Sequence, residues 1–167
     1  PGMAWMKDNT SNLDKPMFIC EYAHAMGNAI GNLNLYWDAI ENSNATIGGC
    51  IWDWVDQAME GTDPKTGQKF WGYGGDFGKD NKPNDGMFCM NGVMRPDLSP
   101  KAQYFEVKKV YQNVGVKAVD LKQGRIEIFN KNYFEPLKGY QIVWSLYKDG
   151  VCVESNRPLM GAKNILG

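Results

Sequence analysis

Met17-Phe18-Ile19-Cys20-Glu21-Tyr22-Ala23-His24-Ala25-Met26-Gly27-Asn28 holds the sharpest change of character in this chain. Four apolar residues follow Pro16, and the sequence then turns polar and Gly-containing at once. A short continuous apolar run is what a parallel strand buried on both faces looks like. Glu21 falls at its C-terminal end, the end on which α/β barrels build their active sites. The only histidine, His24, comes three residues later. A strand-end Glu can equally pair with a cation or cap the next helix, so position alone leaves both roles open.

The pattern repeats outward from this stretch. Ile30, Leu33, Tyr36, Trp37 and Ile40 recur at three and four residues, so the spacing predicts a helix over 29–40. Ile47 to Val55 reads as a second buried strand, and it runs into Trp52-Asp53-Trp54-Val55-Asp56-Gln57. In a regular strand Trp52 and Trp54 share one face and Asp53 takes the other. If the two strands are parallel neighbours, both sets of acids and aromatics open on one side. An aromatic floor beside acids suits a sugar site, and alternating Trp also occurs in plain cores.

From Asp56 to Leu98 the chain is rich in Gly, Asp, Asn and Pro and shows little periodicity. So long a loop is abnormal in a compact domain unless it has a task. Tyr73-Gly74-Gly75-Asp76-Phe77-Gly78 and Asn84 to Gly92 offer carbonyl, Asn and Asp oxygens, which are hard ligands, or else simple solvated turns. Ser99-Pro100 supplies a cap and a first-turn proline for a helix reaching about Asn113. After Gly115 the period becomes two. Val116–Leu121, Arg125–Asn130, Gln141–Tyr147 and Val151–Glu154 read as strands, with Asp149-Gly150 as a tight hairpin turn. Trp144 at strand spacing reads as core.

Composition bounds the function. The 167 residues are 43% hydrophobic and 22% charged, with a net charge of −1, which is globular and carries no footprint for nucleic acid or an anionic membrane. No apolar run is long enough to span a bilayer as a helix. Four cysteines, Cys20, Cys50, Cys89 and Cys152, are widely spaced and read as buried free thiols. The N-terminus, Pro1-Gly2-Met3-Ala4, reads as a cut inside a longer protein.

Together, Cys20 to Asn28, Gly48-Gly49 leading to Trp52–Gln57, Tyr73–Gly78 and Phe88-Cys89-Met90-Asn91-Gly92 resemble the large multidomain β-galactosidases of glycoside hydrolase family 2. Four motifs in the same order make the resemblance specific over residues 12–112. It implies an α/β plus all-β chain: residues 1–114 as the C-terminal part of a TIM (β/α)8 barrel, and 115–167 as the start of an immunoglobulin-like β-sandwich, both incomplete. It further implies hydrolysis of terminal β-D-galactosides with retention, with Glu21 as nucleophile. His24 would contact the sugar, Trp52 would be the platform beneath it, and Asp85 would orient the loop that leads to Phe88 and Asn91. The Asn91 side chain and the Phe88 carbonyl would hold an active-site sodium.

The resemblance places the acid/base Glu, the magnesium ligands, a tyrosine partner and a third sodium ligand upstream of these motifs. No Asn-Glu dipeptide precedes Glu21, so the chain alone is expected to be inactive. A β-galactoside is the implied partner and homo-oligomerisation the implied state of the parent. Glucuronidase or mannosidase specificity within the family is the nearest alternative, and the Cys20–Asn28 run argues against it. A noncatalytic sugar-binding module after Gly115 is the other.

Overall fold

The computed structural model describes residues 2–9, 13–78 and 82–156. The chain forms two units, Pro1–Tyr111 and Gln112–Gly167. In the first, helix α1 (Met3–Asn9) precedes strand β1 (Met17–Tyr22), helix α2 (Leu33–Glu41) and strand β2 (Thr46–Ile51). β1 and β2 pair in parallel, with Phe18 opposite Gly48, Ile19 opposite Gly49 and Tyr22 opposite Ile51. A later helix, α3 (Ala102–Val110), completes the helical layer. The core is Met6, Ile19, Tyr22, Ala25, Ile30, Leu33, Ile40, Val93 and Val107, with Trp37 and Tyr111 packed at its margin.

Several expectations are corrected here. β1 is covered on one face only: Ile19 and Tyr22 are buried, whereas Phe18 is 53% exposed and Cys20 lies open. The parallel sheet has two strands, and the helices pack on one side of it. No closed barrel exists among the described residues. The cysteines are free but not buried: Cys20, Cys50 and Cys152 are exposed and Cys89 is half-buried. α2 starts at Leu33 rather than Ala29, because Ile30 and Asn32 take left-handed backbone angles that no α-helix admits. Its periodicity is nonetheless real, since Leu33 and Ile40 are buried and Tyr36 and Trp37 half-buried.

The long segment after Asp56 is not structureless. It contains an antiparallel hairpin, β3 (Met59–Thr62) with β4 (Lys69–Gly72), and a 3-10 turn at Gly86–Cys89. The Asp63 carboxylate accepts the Lys65 N–H within the hairpin loop. α3 begins two residues beyond the Ser99-Pro100 cue. Pro100 bridges to Met94 and the extended Lys101 is the capping residue. The helix ends at Val110; it buries Gln103 and Val107 and leaves Phe105 60% exposed.

In the second unit β5 (Val114–Asp120) pairs antiparallel with β6 (Arg125–Asn130), and β7 (Trp144–Lys148) with β8 (Val151–Asn156). The β7–β8 turn is the one read from the sequence: Asp149 and Gly150 have φ of 49° and 82°. Trp144 is not core. Every residue of β7 is exposed, because no second layer covers this hairpin among the described residues. The rest of the expected sandwich, beyond residue 156, lies outside the described residues.

Candidate functional site

The site is assembled where the strands end. Between the pairs Ile19–Gly49 and Tyr22–Ile51 the register slips by one residue, so Cys20 and Glu21 together face Cys50. Such a bulge re-aims a side chain. Here Ile19 and Tyr22 stay on the core side, and Cys20 and Glu21 are both exposed. The Glu21 carboxylate makes no hydrogen bond or ion pair with any described residue. Beneath it, the Tyr22 hydroxyl meets that of Tyr111 at 2.5 Å in the core. Burial first, and then this hydrogen bond, raises the Tyr22 phenol above its ordinary range; burial likewise raises Tyr111.

The β1–β2 ladder continues past the strands. Trp52 donates its N–H to the Tyr22 carbonyl at 3.0 Å, and Ala25 donates to the Trp52 carbonyl at 2.7 Å. Regular strand geometry ends at Ile51, so the expected Trp52/Asp53/Trp54 alternation does not hold. Trp52 is 37% and Trp54 52% exposed. The Asp53 carboxylate turns back onto the Trp54 N–H and the Gln57 amide.

A third strand-like segment runs beside this one. Asp53 donates to the Asn91 carbonyl at 2.6 Å, Val93 to Asp53 at 2.9 Å and Met94 to Trp54 at 3.0 Å, with Val55 and Met94 in a parallel bridge. This fixes Asn91. Its side chain is 2% exposed, with Nδ2 donating to the Phe88 carbonyl at 2.9 Å and Oδ1 buried without a partner among the described residues. The Phe88 ring lies 5.0 Å from that of His24, whose Nε2 is also buried and unpartnered. Backbone bonds and ring contacts thus bring His24, Trp52, Phe88 and Asn91 together at the ends of β1 and β2. Asp85 stands apart. Its carboxylate is exposed, and the loop is tied instead by Asn84, which accepts the Gly86 N–H and donates to the Lys82 carbonyl.

Sequence reasoning missed the anchor of this loop. Asp56, 5% exposed, accepts the Lys101 ammonium at 3.0 and 3.2 Å and the Gly92 N–H at 2.8 Å. At Gly92 a Cβ would sit 2.1 Å from the Asp56 nitrogen, so only glycine permits the two backbones to approach so closely. Asp56 and Lys101 are 45 residues apart. No local pattern links them.

The Asn91 Oδ1, buried without a partner among the described residues, and the Phe88 carbonyl, which accepts the Asn91 Nδ2–H, are oxygens of the hard kind that the expected sodium would take. Magnesium has no comparable ligand set here: among the described residues no group of three or more His, Cys, Asp or Glu is arranged to hold a metal. Nor is any described helix long and apolar enough to cross a membrane.

A parallel strand pair crossed by a helix, with a carboxylate and an aromatic at the C-terminal strand ends, is the arrangement from which α/β barrels build their sites. The chain belongs to the glycosyl hydrolases of family 2, whose TIM barrel domain matches residues 3–116. It is similar to curated proteins named β-galactosidase. That of Priestia megaterium is 44% identical over 149 residues, 89% of this chain and 14% of the relative. Those of Photobacterium profundum and Aeromonas hydrophila are 41% and 40% identical over 87% and 83% of the chain, covering 14% and 13% of their lengths. The chain therefore spans about one seventh of the relatives it matches.

Proposed function

We propose that this chain carries the nucleophile half of a retaining β-galactosidase active site, with terminal β-D-galactosides as substrate. The observation that carries the reading is the bulge in β1, which leaves Glu21 exposed at the strand end, next to Tyr22, whose carbonyl accepts the Trp52 N–H. The Glu21 carboxylate attacks the anomeric carbon, the glycosidic bond breaks, and water later hydrolyses the glycosyl-enzyme ester, so configuration is retained. Trp52 is the platform under the galactose. His24 Nε2 and Asn91 Oδ1, buried and unpartnered, are available to sugar hydroxyls. Asp85, exposed and with its carbonyl accepting the Phe88 N–H, would orient the loop that leads to Asn91.

Asn91 and the Phe88 carbonyl would also hold a sodium ion, which when bound offers positive charge to a sugar oxygen. The parent enzyme would use magnesium on residues outside this chain and assemble with identical copies. Residues 1–114 would be barrel and 115–167 the start of an immunoglobulin-like sandwich, a boundary supported by the family match ending at residue 116.

Retention needs an acid/base carboxyl about 5 Å from the nucleophile, and no described carboxylate is paired with Glu21. General acid catalysis contributes about 10²–10⁴-fold, so the isolated chain is expected to be inactive. The test is to mix it with the remainder of the Priestia megaterium relative and assay nitrophenyl-galactoside hydrolysis. Activity that disappears in Glu21→Gln supports the reading. A stable complex without activity, or activity that survives Glu21→Gln, overturns it.

A further inference from the structure

We infer that Cys20 and Cys50 form a cross-strand dithiol that closes to a disulfide under a hydroperoxide, which makes the Glu21 end of the sheet redox-sensitive. The inference does not depend on the galactosidase reading. The two cysteines lie on neighbouring parallel strands, one position beyond the Ile19–Gly49 pair.

Their facing follows from the side chains around them. A Cβ built on Gly48 would meet the Phe18 ring at 4.0 Å, and one on Gly49 would meet Ile19 Cβ and Tyr22 Cδ1 at 3.1 Å. Phe18 is exposed and Ile19 and Tyr22 are core, so Gly49 points inward. Just beyond this pair the bulge sets Cys20 and Glu21 together opposite Cys50, and Cys20 and Cys50 are both exposed and free. The adjoining Ile19–Gly49 pair holds the strands at the ladder spacing of about 4.8 Å, and a disulfide bridges Cα atoms about 4.4–6.8 Å apart. Neither thiol makes a hydrogen bond with a described residue. By contrast, the Cys89 and Cys152 thiols each contact a carbonyl of their own segment.

The chemistry balances with one equivalent of peroxide. One thiolate attacks a peroxide oxygen; an S–O bond forms, the O–O bond breaks, and the departing hydroxide takes a proton and leaves as water. The second thiolate attacks that sulfenic sulfur; the S–S bond forms, the S–O bond breaks, and a second water leaves. The two sulfurs together lose two electrons and the peroxide gains them. The bond cross-links the strands that carry Glu21 and Trp52.

The experiment treats the folded full chain with one equivalent of hydrogen peroxide, caps remaining thiols, and maps peptides without reduction. The expected product has lost two hydrogens and joins the Cys20 and Cys50 peptides, with Cys89 and Cys152 capped. Its yield should exceed any other pairing by about tenfold, because the thiols are held at strand spacing. The Cys89→Ser/Cys152→Ser double variant should give the same product, and Cys20→Ser or Cys50→Ser should abolish it. Oxidation in denaturant should remove the preference. Equal pairing among all four cysteines in the folded chain, independent capping of Cys20 and Cys50 after oxidation, or dimers alone would overturn the inference.

Discussion

β1 and β2 rest on a helical layer that buries Ile19, Tyr22, Leu33, Ile40 and Val107, whereas β7 and β8 pair only with each other and leave Trp144, Leu146, Tyr147, Val151 and Val153 at the surface. Both pairs are joined by backbone ladders that slip in register. The difference lies in what happens beyond the ladder. In the first unit the strand ends are gripped by further backbone, Trp52 to Tyr22, Ala25 to Trp52 and Asp53 to Asn91, and by the buried Asp56–Lys101 pair. In the second, a good turn closes the hairpin and nothing described holds its faces. Strand pairing sets register; a packed layer with anchored loops is what sets where a functional side chain stands.

The comparison breaks most easily at the anchor. Lys101→Met leaves the Asp56 carboxylate buried without its cation, which should cost about 3–5 kcal/mol. Chemical denaturation followed by tryptophan fluorescence should show the first unit destabilised, and adding Asp56→Asn should restore part of the loss. A destabilisation below about 1 kcal/mol would mean that the pair behaves as a surface ion pair. Next in size is a matched truncation. Leu33→Ala removes a fully buried side chain and should cost about 2–5 kcal/mol, while Leu146→Ala, at a position 54% exposed, should stay within about 0.5 kcal/mol. Equal losses would show that the second unit has a core of its own.

A pH titration sharpens the same contrast. Tyr22 and Tyr111 hold their protons more tightly folded than unfolded, so their stabilisation is complete below about pH 10 and is lost as pH rises above that point. Stability should fall by up to about 1.4 kcal/mol per pH unit for each tyrosine, and Tyr22→Phe should flatten the slope. Tyrosinate absorbance should show these two ionising only with unfolding. The smallest effect belongs to the turn. Gly150→Ala, at φ 82°, should cost about 1 kcal/mol, seen as faster amide exchange in β7 and β8 alone.

What the sequence made legible was local. The apolar run at Met17, the three-and-four spacing of Leu33 and Ile40, the bounds of β6 and the Asp149-Gly150 turn each state their structure within a few residues. The motifs around Glu21, Trp52 and Asn91 marked the site by type and order. What could not be read was set by distance or by neighbours. The bulge at Cys20-Glu21 depends on β2, the strand-like run 91–94 depends on Asp53 to Asp56, and Lys101 acquires its meaning from an aspartate 45 residues away. The β3–β4 hairpin was hidden because Gly61 and Gly72, whose missing side chains make room for Phe70 and Phe77, read as loop.

The nucleophile assignment is tested most directly by trapping. The complemented assembly would be incubated with an activated 2-deoxy-2-fluorogalactoside, which slows both steps and leaves the glycosyl-enzyme ester in place. The label is expected on the peptide containing Glu21, with none in Glu21→Gln. An active assembly labelled on any other residue would contradict the assignment.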